Sequence, residues 1–523
     1  MCTIRPHSGK ALFSACVLLA LTGAQASASP VSYHSPVSYH RSLTFAAIQP
    51  PTSLNPMLNG NNPDELYYND LAYEPLIYQA PNGTYGPGLA TAWHYNANLT
   101  TFTLQLRPGV RFSDGQPLTA QAVVKSISAV KRAGGPVDIY ANVIGSLVAT
   151  GPLTVQLNLT KADPYLPLLL SQRWPIGDIV SPKALSSPTT FAMLARQTSG
   201  AGPYVLDASA TTPGSTYTYV PNRYYYDQAA VHFRRIVVEV ISSQSGALNA
   251  LRTGQIAFAD GSALSVPEAK ASKLSVYSSL ATWYGAFLFD RVTGPLRSVL
   301  VRQALNYATN RAAISATLFG RYGVPGDEVT IPAFAGSGYV PSLNRYYHYD
   351  PAKAKALLAE AGYPKGFALT MGASSAWNDG VTVAQLLASD WSSVGVRVKI
   401  NTYPTLTQMI GPWKSALLPS LAGGYNSAPL GLQYGQLLAQ NAGLFNPYKT
   451  ANSVLNSLLS RATSATSELA LEQDWSGVQR EVVQLAWFVP VAYGPLVYFA
   501  APSLHGVGVS SKRFLPDPAA WYE

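Results

Sequence analysis

The residue types that most often carry catalysis do not fall into a familiar catalytic spacing in this chain. The sequence contains no H-E-x-x-H, G-x-S-x-G or G-x-x-x-x-G-K-[ST] motif, and no glycine pattern of a dinucleotide site. His94, His232, His348 and His505 are scattered singly, and no carboxylates are paired for acid–base work. We therefore expect a binding protein rather than an enzyme, with no cofactor and no protein-built metal site.

Recognition is the chemistry that the composition favours. The 523 residues include 32 Tyr, 16 Phe and 9 Trp, and only 12% are charged, against about 25% in ordinary globular proteins. Ligand pockets need aromatic walls and a few fixed polar groups, which such a composition can supply. The formal charge of +9 is spread thinly, with no run of five basic residues, so we expect no nucleic-acid partner.

Residues 1–28 are predicted to be a signal peptide that is removed from the mature protein. Arg5 and Lys10 give a positive start, and residues 11–21 form an apolar run of signal length. Overlapping small-residue tripeptides between residues 24 and 28 suit signal peptidase. No later segment reaches the roughly 18 uninterrupted apolar residues of a transmembrane helix. We therefore expect export through the inner membrane to the periplasm.

The two cysteines of the chain, Cys2 and Cys16, both lie within this predicted signal. Cys16 could carry a lipid anchor, but Phe13 stands where a lipidation motif prefers an aliphatic residue, and the apolar run continues beyond the cysteine. Ordinary cleavage is favoured, and it leaves no thiol and no disulfide. Residues 29–41 contain a repeated SPVSYH unit and are predicted to be a flexible linker.

Apolar periodicity and capping signals predict an α/β chain with mixed sheets. Residues 102–106 alternate as a strand, residues 110–112 are predicted to form a second short strand, and Thr119 caps a helix that Gly134 ends. Further strands are predicted at residues 42–47, 153–159, 236–240 and 396–400, and further helices at residues 65–78, 351–361 and 381–394.

Several sequence stretches carry a family resemblance. LRPGVRFSDGQPLTAQAVV at residues 106–124 resembles the signature of the family 5 solute-binding proteins of ABC transporters, the dipeptide, oligopeptide and nickel binders. Further motifs similar to those of the family follow in the family's order: GLATAW at 88–93, GAGPY at 200–204, VRQALNYA at 301–308 and PAKAKALLAEAGYPKGF at 351–367. The resemblance covers residues 42 to 510 and implies a periplasmic-binding-protein-like two-lobed fold of type II, with an extra subdomain in the first lobe.

This resemblance also implies a domain division and a function. The first-lobe core is expected at residues 42–58, 178–285 and 489–523, the extra subdomain at residues 59–177, and the second lobe at residues 286–488. The implied protein is a monomer that closes its lobes over a peptide or a peptide-like solute, including anionic or metal-chelating ones. It then delivers the solute to an ABC transporter permease in the inner membrane.

Candidate ligand-binding residues follow from family position. Peptide binders usually carry an Asp that holds the ligand's amino group, and the simplest alignment puts Gly424 there, which argues against the usual mode. Arg173 lies where nickel binders have an arginine that meets a chelate's carboxylates, with Tyr425 and Tyr140 near their aromatic pocket positions. The remaining expected ligand-binding residues are Asn61, Trp283, Tyr284, Asp290, Trp377, Asn426 and Tyr493.

The sequence leaves other interpretations open. Each aromatic candidate could equally be ordinary core, and Arg173 could be a surface cation near the hinge. Within transport, the alternative ligand is a sugar or another uncharged solute stacked on Trp and Tyr. A secreted hydrolase with an unfamiliar site is a second class, against which the missing nucleophile motifs argue. A sensor or a chaperone-like protein that uses the same fold without transport is a third.

Overall fold

The computed structural model of the chain describes residues 41–59, 63–289, 294–334, 338–375, 377, 379–440, 445–513 and 515–523. The predicted signal peptide and nearly all of the predicted linker lie outside these residues, as do the candidates Asn61 and Asp290. The described residues all belong to one compact unit. Within the described part of the chain, no helix combines the length and the apolar character needed to cross a membrane.

A buried strand opens the described chain, and it confirms the prediction for residues 42–47. The helix predicted for residues 65–78 is shorter, because it ends at Ala72 and a short strand follows. Pro75 accounts for the difference, since a proline excludes the helical conformation from the residue before it. The elements are β1 (Ser42–Ala47), α1 (Pro63–Ala72), β2 (Ile77–Gln79) and β3 (Tyr85–Pro87).

The extra subdomain is an antiparallel sheet with a helix packed on it. Thr119 accepts a hydrogen bond from the amide of Ala122, and Gly134 adopts a φ of 68° at the end of the helix, which confirms both predicted caps. The strand predicted at residues 110–112 is wrong. The tight turn that follows leaves room for only a single bridge, between Arg111 and Pro117. The elements are β4 (Ala90–Tyr95), β5 (Thr101–Leu106), α2 (Ala120–Ala133), α3 (Asp138–Ala141), β6 (Ile144–Gly151) and β7 (Thr154–Leu159), in sheet order β4-β5-β7-β6.

The chain then returns to the sheet that β1 began. β1 pairs in parallel with a strand about 190 residues further along, Ser42 opposite Arg235, so this sheet joins distant parts of the sequence. The elements are α4 (Leu166–Leu169), α5 (Pro188–Met193), β8 (Tyr204–Leu206), β9 (Thr216–Pro221), β10 (Arg235–Val240), α6 (Gln244–Arg252), β11 (Phe258–Gly261) and α7 (Val266–Ala271), in sheet order β1-β10-β9-β8.

Two strands of 13 residues, β12 (Ser275–Phe287) and β17 (Phe488–Ala500), connect the lobes. They pair antiparallel from Ser275 opposite Ala500 to Phe287 opposite Phe488. β11 joins this pair at one end, and strands of the second lobe join it at the other. The remaining elements are α8 (Val299–Tyr307), α9 (Arg311–Phe319), β13 (Val324–Pro325), α10 (Pro351–Glu360), β14 (Ala368–Ser374), α11 (Gly380–Ser392), β15 (Arg397–Tyr403), α12 (Leu406–Lys414), β16 (Ser420–Asn426), α13 (Leu430–Leu437), α14 (Ser453–Ser464) and α15 (Glu468–Leu485), in sheet order β11-β17-β12-β16-β14-β15.

The second lobe has a buried ion pair close to these connecting strands. Arg311 lies 2.5 Å from Asp327, and its guanidinium also donates to the carbonyl of Pro490 in β17. A neighbouring buried acid, Glu328, accepts a hydrogen bond of 2.8 Å from the amide of Val340. These contacts fix the loop before residue 340 against β17.

Candidate functional site

A cavity of about 270 Å³ lies between the extra subdomain and α13 of the second lobe. One wall is formed by α3, by the segment after β7 and by α4, and the opposite wall by the first turns of α13. Known small-molecule pockets begin at about 300 Å³, so this space suits a small solute. The cavity is lined by Tyr140, Asn142, Val143, Thr160, Lys161, Asp163, Leu169, Gly431, Leu432, Tyr434 and Gly435.

The two walls touch each other beside the cavity. Lys161 Nζ donates a 2.5 Å hydrogen bond to the hydroxyl of Tyr434 and lies 4.8 Å from the centroid of that ring. Tyr165 packs so closely on Gly431 that a Cβ at this glycine would lie 2.5 Å from the Tyr165 hydroxyl oxygen. The absence of a side chain at residue 431 therefore permits the close approach of α13 to the first lobe.

Two charged side chains, those of Asp163 and Lys161, lie on the wall that the extra subdomain contributes. Asp163 is 9% exposed, and its Oδ1 accepts a 2.7 Å hydrogen bond from the amide of Tyr165. Burial raises the pKa of Asp163 to about 6, while the Tyr165 amide and the Lys161 ammonium oppose that rise. Within the described residues, no ion pair joins Asp163 to Lys161. Both charges therefore remain available to a ligand.

Aromatic side chains lead from the cavity into the second lobe. Tyr140 lines the cavity, with its ring centroid 4.4 Å from that of Trp174. Burial raises the pKa of the Tyr425 phenol, and the nearby phenol of Tyr140 adds to the rise. Tyr425 lies 6.1 Å from Trp283. Phe445 then stacks 6.1 Å from Trp377, and it lies 5.3 Å from the Tyr425 ring.

Arg173 connects the extra subdomain to the second lobe. Its side chain is buried, and it donates at 2.7 Å to the carbonyl of Ser427 and at 3.1 Å to the carbonyl of Lys512. Burial lowers the pKa of Arg173 to about 10, so the guanidinium stays charged at neutral pH. Asn426, the residue before Ser427, accepts from the Thr282 hydroxyl at 3.0 Å. The structure thus brings together four of the candidate residues: Arg173, Trp283, Tyr425 and Asn426.

The candidates Tyr284 and Tyr493 lie on opposite faces of the sheet. Successive residues of a strand point to opposite faces of the sheet, so Tyr284 faces away from Trp283 and packs 4.8 Å from Phe319. Gly424 pairs with Tyr284 and is therefore on that same face. Tyr493 is the cross-strand partner of Trp283 and lies on the same face of the sheet as that residue, where its hydroxyl accepts a 3.2 Å hydrogen bond from the amide of Glu328.

Lys161, Asp163 and Tyr434 were not predicted from the sequence. A Lys-x-Asp triplet directly after β7 is a usable signal, because charged residues are scarce in this chain. Tyr434 has no comparable signal, since its contact with Lys161 joins residues 273 positions apart. Among the residues that the structure describes, no group of three His, Cys, Asp or Glu side chains could hold a metal ion.

Comparisons with known proteins agree on one family. The model of the bacterial extracellular solute-binding proteins, family 5 Middle, matches residues 84–438. The glutathione-binding protein GsiB of Salmonella typhimurium is 28% identical over 326 residues, which is 60% of this chain and 60% of that relative. The match thus spans about three fifths of the length of this curated relative.

Solved structures match nearly the whole chain. A dipeptide-binding protein from a Pseudoalteromonas species, in complex with Met-Leu, has a TM-score of 0.78 at 20% identity, covering 92% of this chain and 100% of that one. NikZ from Campylobacter jejuni, in complex with Ni(L-His), has a TM-score of 0.78 at 19% identity, covering 92% and 99%. These alignments confirm the predicted α/β two-lobed fold of type II.

Proposed function

Because the chain belongs to the bacterial extracellular solute-binding proteins of family 5, we propose that it captures a peptide or peptide-like solute for an ABC importer. The observation that supports this most is the cavity of about 270 Å³ between the lobes, which has aromatic, acidic and basic side chains on its walls. A short peptide matches this combination of size and chemistry. In this proposal the chain works as a monomer in the periplasm and passes its solute to a permease in the inner membrane.

Closure of the lobes is the proposed step that commits the solute. β12 and β17 are paired along their whole length, and a twist of this two-stranded ribbon would open the cleft. The Lys161–Tyr434 and Arg173–Ser427 hydrogen bonds cross from one lobe to the other and would break on opening. A solute held between the same walls would add contacts to the closed form alone, and this shifts the equilibrium towards closure.

An uncharged solute is the second candidate. The ring of Tyr140 lines the cavity, and a sugar could stack on it. An anionic or chelated solute has weaker support. The guanidinium of Arg173 already donates to two backbone carbonyls within the protein, and Arg173 is not one of the described residues that line the cavity.

Calorimetry on the mature protein tests the proposal. The panel is a set of di- and tripeptides, a disaccharide, and Ni²⁺ with histidine, all at neutral pH. We expect saturable binding of at least one free peptide. Binding of the disaccharide alone would favour the second candidate, and absence of binding across the panel would contradict both.

A further inference from the structure

We propose that the cavity selects a zwitterion, with Asp163 binding the ammonium group of the solute and Lys161 binding its carboxylate. The inference rests on the proposed function and adds to it the two residues that decide which charges the solute must carry. Both side chains come from the segment that follows β7, on the extra-subdomain wall of the cavity.

Asp163 has capacity left for an ammonium group. Of the described residues, only the amide of Tyr165 donates a hydrogen bond to this carboxylate, on Oδ1. An ionised carboxylate offers about four lone-pair sites on its two oxygens, so most of them remain for a ligand. Burial has raised the pKa of Asp163 to about 6, which leaves the group mainly ionised at neutral pH. An ammonium group in the cavity would replace the water that this carboxylate has lost.

Lys161 supplies the complementary charge. Its Nζ donates to the Tyr434 hydroxyl, and an ammonium group has three donors, so two remain for a carboxylate. In the described part of the chain, Lys161 and Asp163 make no ion pair with each other. The wall therefore presents one negative and one positive group, whose charges sum to zero.

This arrangement distinguishes solutes by which charge of the wall each solute leaves without a partner. A zwitterion satisfies both groups, whereas a solute with a blocked amine leaves Asp163 without its cation. A solute with a blocked carboxylate leaves Lys161 without its anion. Asp163 is buried, so leaving it without a cation is costly, whereas Lys161 is exposed and loses only a carboxylate contact. Each blocked form should therefore bind more weakly, and the acetylated form should lose more affinity than the amide. Recognition of the amine from the first lobe also fits Gly424, which offers no carboxylate from the second lobe.

The test uses L-alanyl-L-phenylalanine, its N-acetyl derivative and its C-terminal amide, titrated calorimetrically into the mature protein at neutral pH. We expect the N-acetyl form to bind about tenfold to a hundredfold more weakly than the free dipeptide, as for loss of a buried charge-assisted contact, and the amide about twofold to fivefold more weakly, because Lys161 is exposed. Asp163→Asn should abolish the penalty for acetylation and keep the penalty for amidation. Lys161→Gln should abolish the penalty for amidation and keep the penalty for acetylation. A general loss of lobe closure would instead weaken binding of all three probes alike.

Matched controls are available on α10. Glu360→Gln and Lys355→Gln remove the same charges from exposed positions, and both penalties should survive in these variants. Asn at residue 163 keeps an oxygen for the Tyr165 amide, so the loop should still fold, as circular dichroism can verify. An acetylation penalty that persists in Asp163→Asn overturns the inference, and so does equal binding or non-binding of all three probes. The proposed function itself fails only if the wider peptide panel also shows no binding.

Discussion

Arg173 shows how one buried cation can hold together parts of a chain that are far apart in sequence. Its two hydrogen bonds reach Ser427 and Lys512, which lie 254 and 339 positions away. The guanidinium has little contact with solvent, and its charge is offset by backbone dipoles. Because each carbonyl would lose a donor in a place that water reaches poorly, the side chain should contribute to stability as well as to closure.

Replacing Arg173 by Ala should lower the free energy of unfolding by about 2–4 kcal/mol, since unsatisfied buried polar groups cost roughly 1–3 kcal/mol each. Urea denaturation followed by circular dichroism measures this. Arg252→Ala is the matched control, because that arginine is half exposed in a surface ion pair with Glu268 and should cost under about 1 kcal/mol. If both variants lose the same free energy of unfolding, the structural role of Arg173 is contradicted.

Single residues also mark the limit of what the sequence could predict. Arg173 was singled out by its position in the family signature, yet its partners are set by the packing of the lobes and have no local signal. Asp163 and Lys161 carry only the weak signal of a Lys-x-Asp triplet in a chain with few charges, and it is the cavity that they line which singles them out. Tyr284 and Trp283 are neighbours in sequence, and the alternation of a strand sends them to opposite faces.

At the scale of elements, the position of α13 depends on Gly431, which has no side chain and contacts Tyr165. Any larger residue at position 431 would force the Tyr165 ring to move, since a Cβ there lies 2.5 Å from its hydroxyl oxygen. Overpacking of this kind costs about 1–3 kcal/mol, and under the proposed closure it falls on the closed form alone.

Gly431→Val should therefore weaken ligand binding by roughly fivefold to a hundredfold. The control is Gly246→Val in α6, a helical glycine whose added Cβ would make only ordinary contacts of 3.5 Å or more. Both variants replace a helical glycine by valine and so change helix propensity alike, and only Gly431→Val should lose affinity in calorimetry. Unchanged affinity in Gly431→Val would show that α13 does not approach Tyr165 in the ligand-bound form.

Elements with local end signals were predictable. The helix α2 begins after Thr119 and ends at Gly134, as the capping rules require. At the start of α10, the Asp350 side chain accepts a hydrogen bond from the amide of Lys353. The strand expected at residues 110–112 failed because a period of two over three residues is too short to separate a strand from an extended turn. The order of strands in the sheets has no local signal at all, and for that the family resemblance was needed.

At the scale of the whole molecule, several buried acids make stability depend on pH. Burial raises the pKa of Glu74 to about 7 and that of Glu328 to about 8, from ordinary values of 4.5. Because these pKa values are higher in the folded chain than in the unfolded one, the folded state binds more protons between pH 4.5 and pH 8. Stability is therefore lost as the pH rises through this window.

We expect the free energy of unfolding to be larger at pH 5 than at pH 8.5, as measured by urea denaturation at both pH values. Glu328→Gln should reduce this difference, because the amide keeps an acceptor for the Val340 amide and has no proton to lose. The exposed Glu360→Gln variant should leave the difference unchanged. A stability that rises with pH over this range would contradict the assignment.

Processing of the chain is a further prediction at this scale. Signal cleavage should give a mature protein that starts near Ser27 or Ser29 and has no thiol. Intact-mass spectrometry of the protein exported by a bacterial host measures this directly. A diacylglyceryl group on Cys16 would instead show that the protein is a lipoprotein.

Native mass spectrometry of the mature protein, purified gently from cells without denaturation, tests the central claim most directly. A protein that captures a small peptide-like solute should carry a co-purified ligand of a mass below about that of a tripeptide. Gly431→Val should carry less of this ligand than the control Gly246→Val does. If the protein is free of ligand and remains so after incubation with a peptide mixture, whereas a substrate panel is hydrolysed, then the account of a solute-capturing protein is wrong.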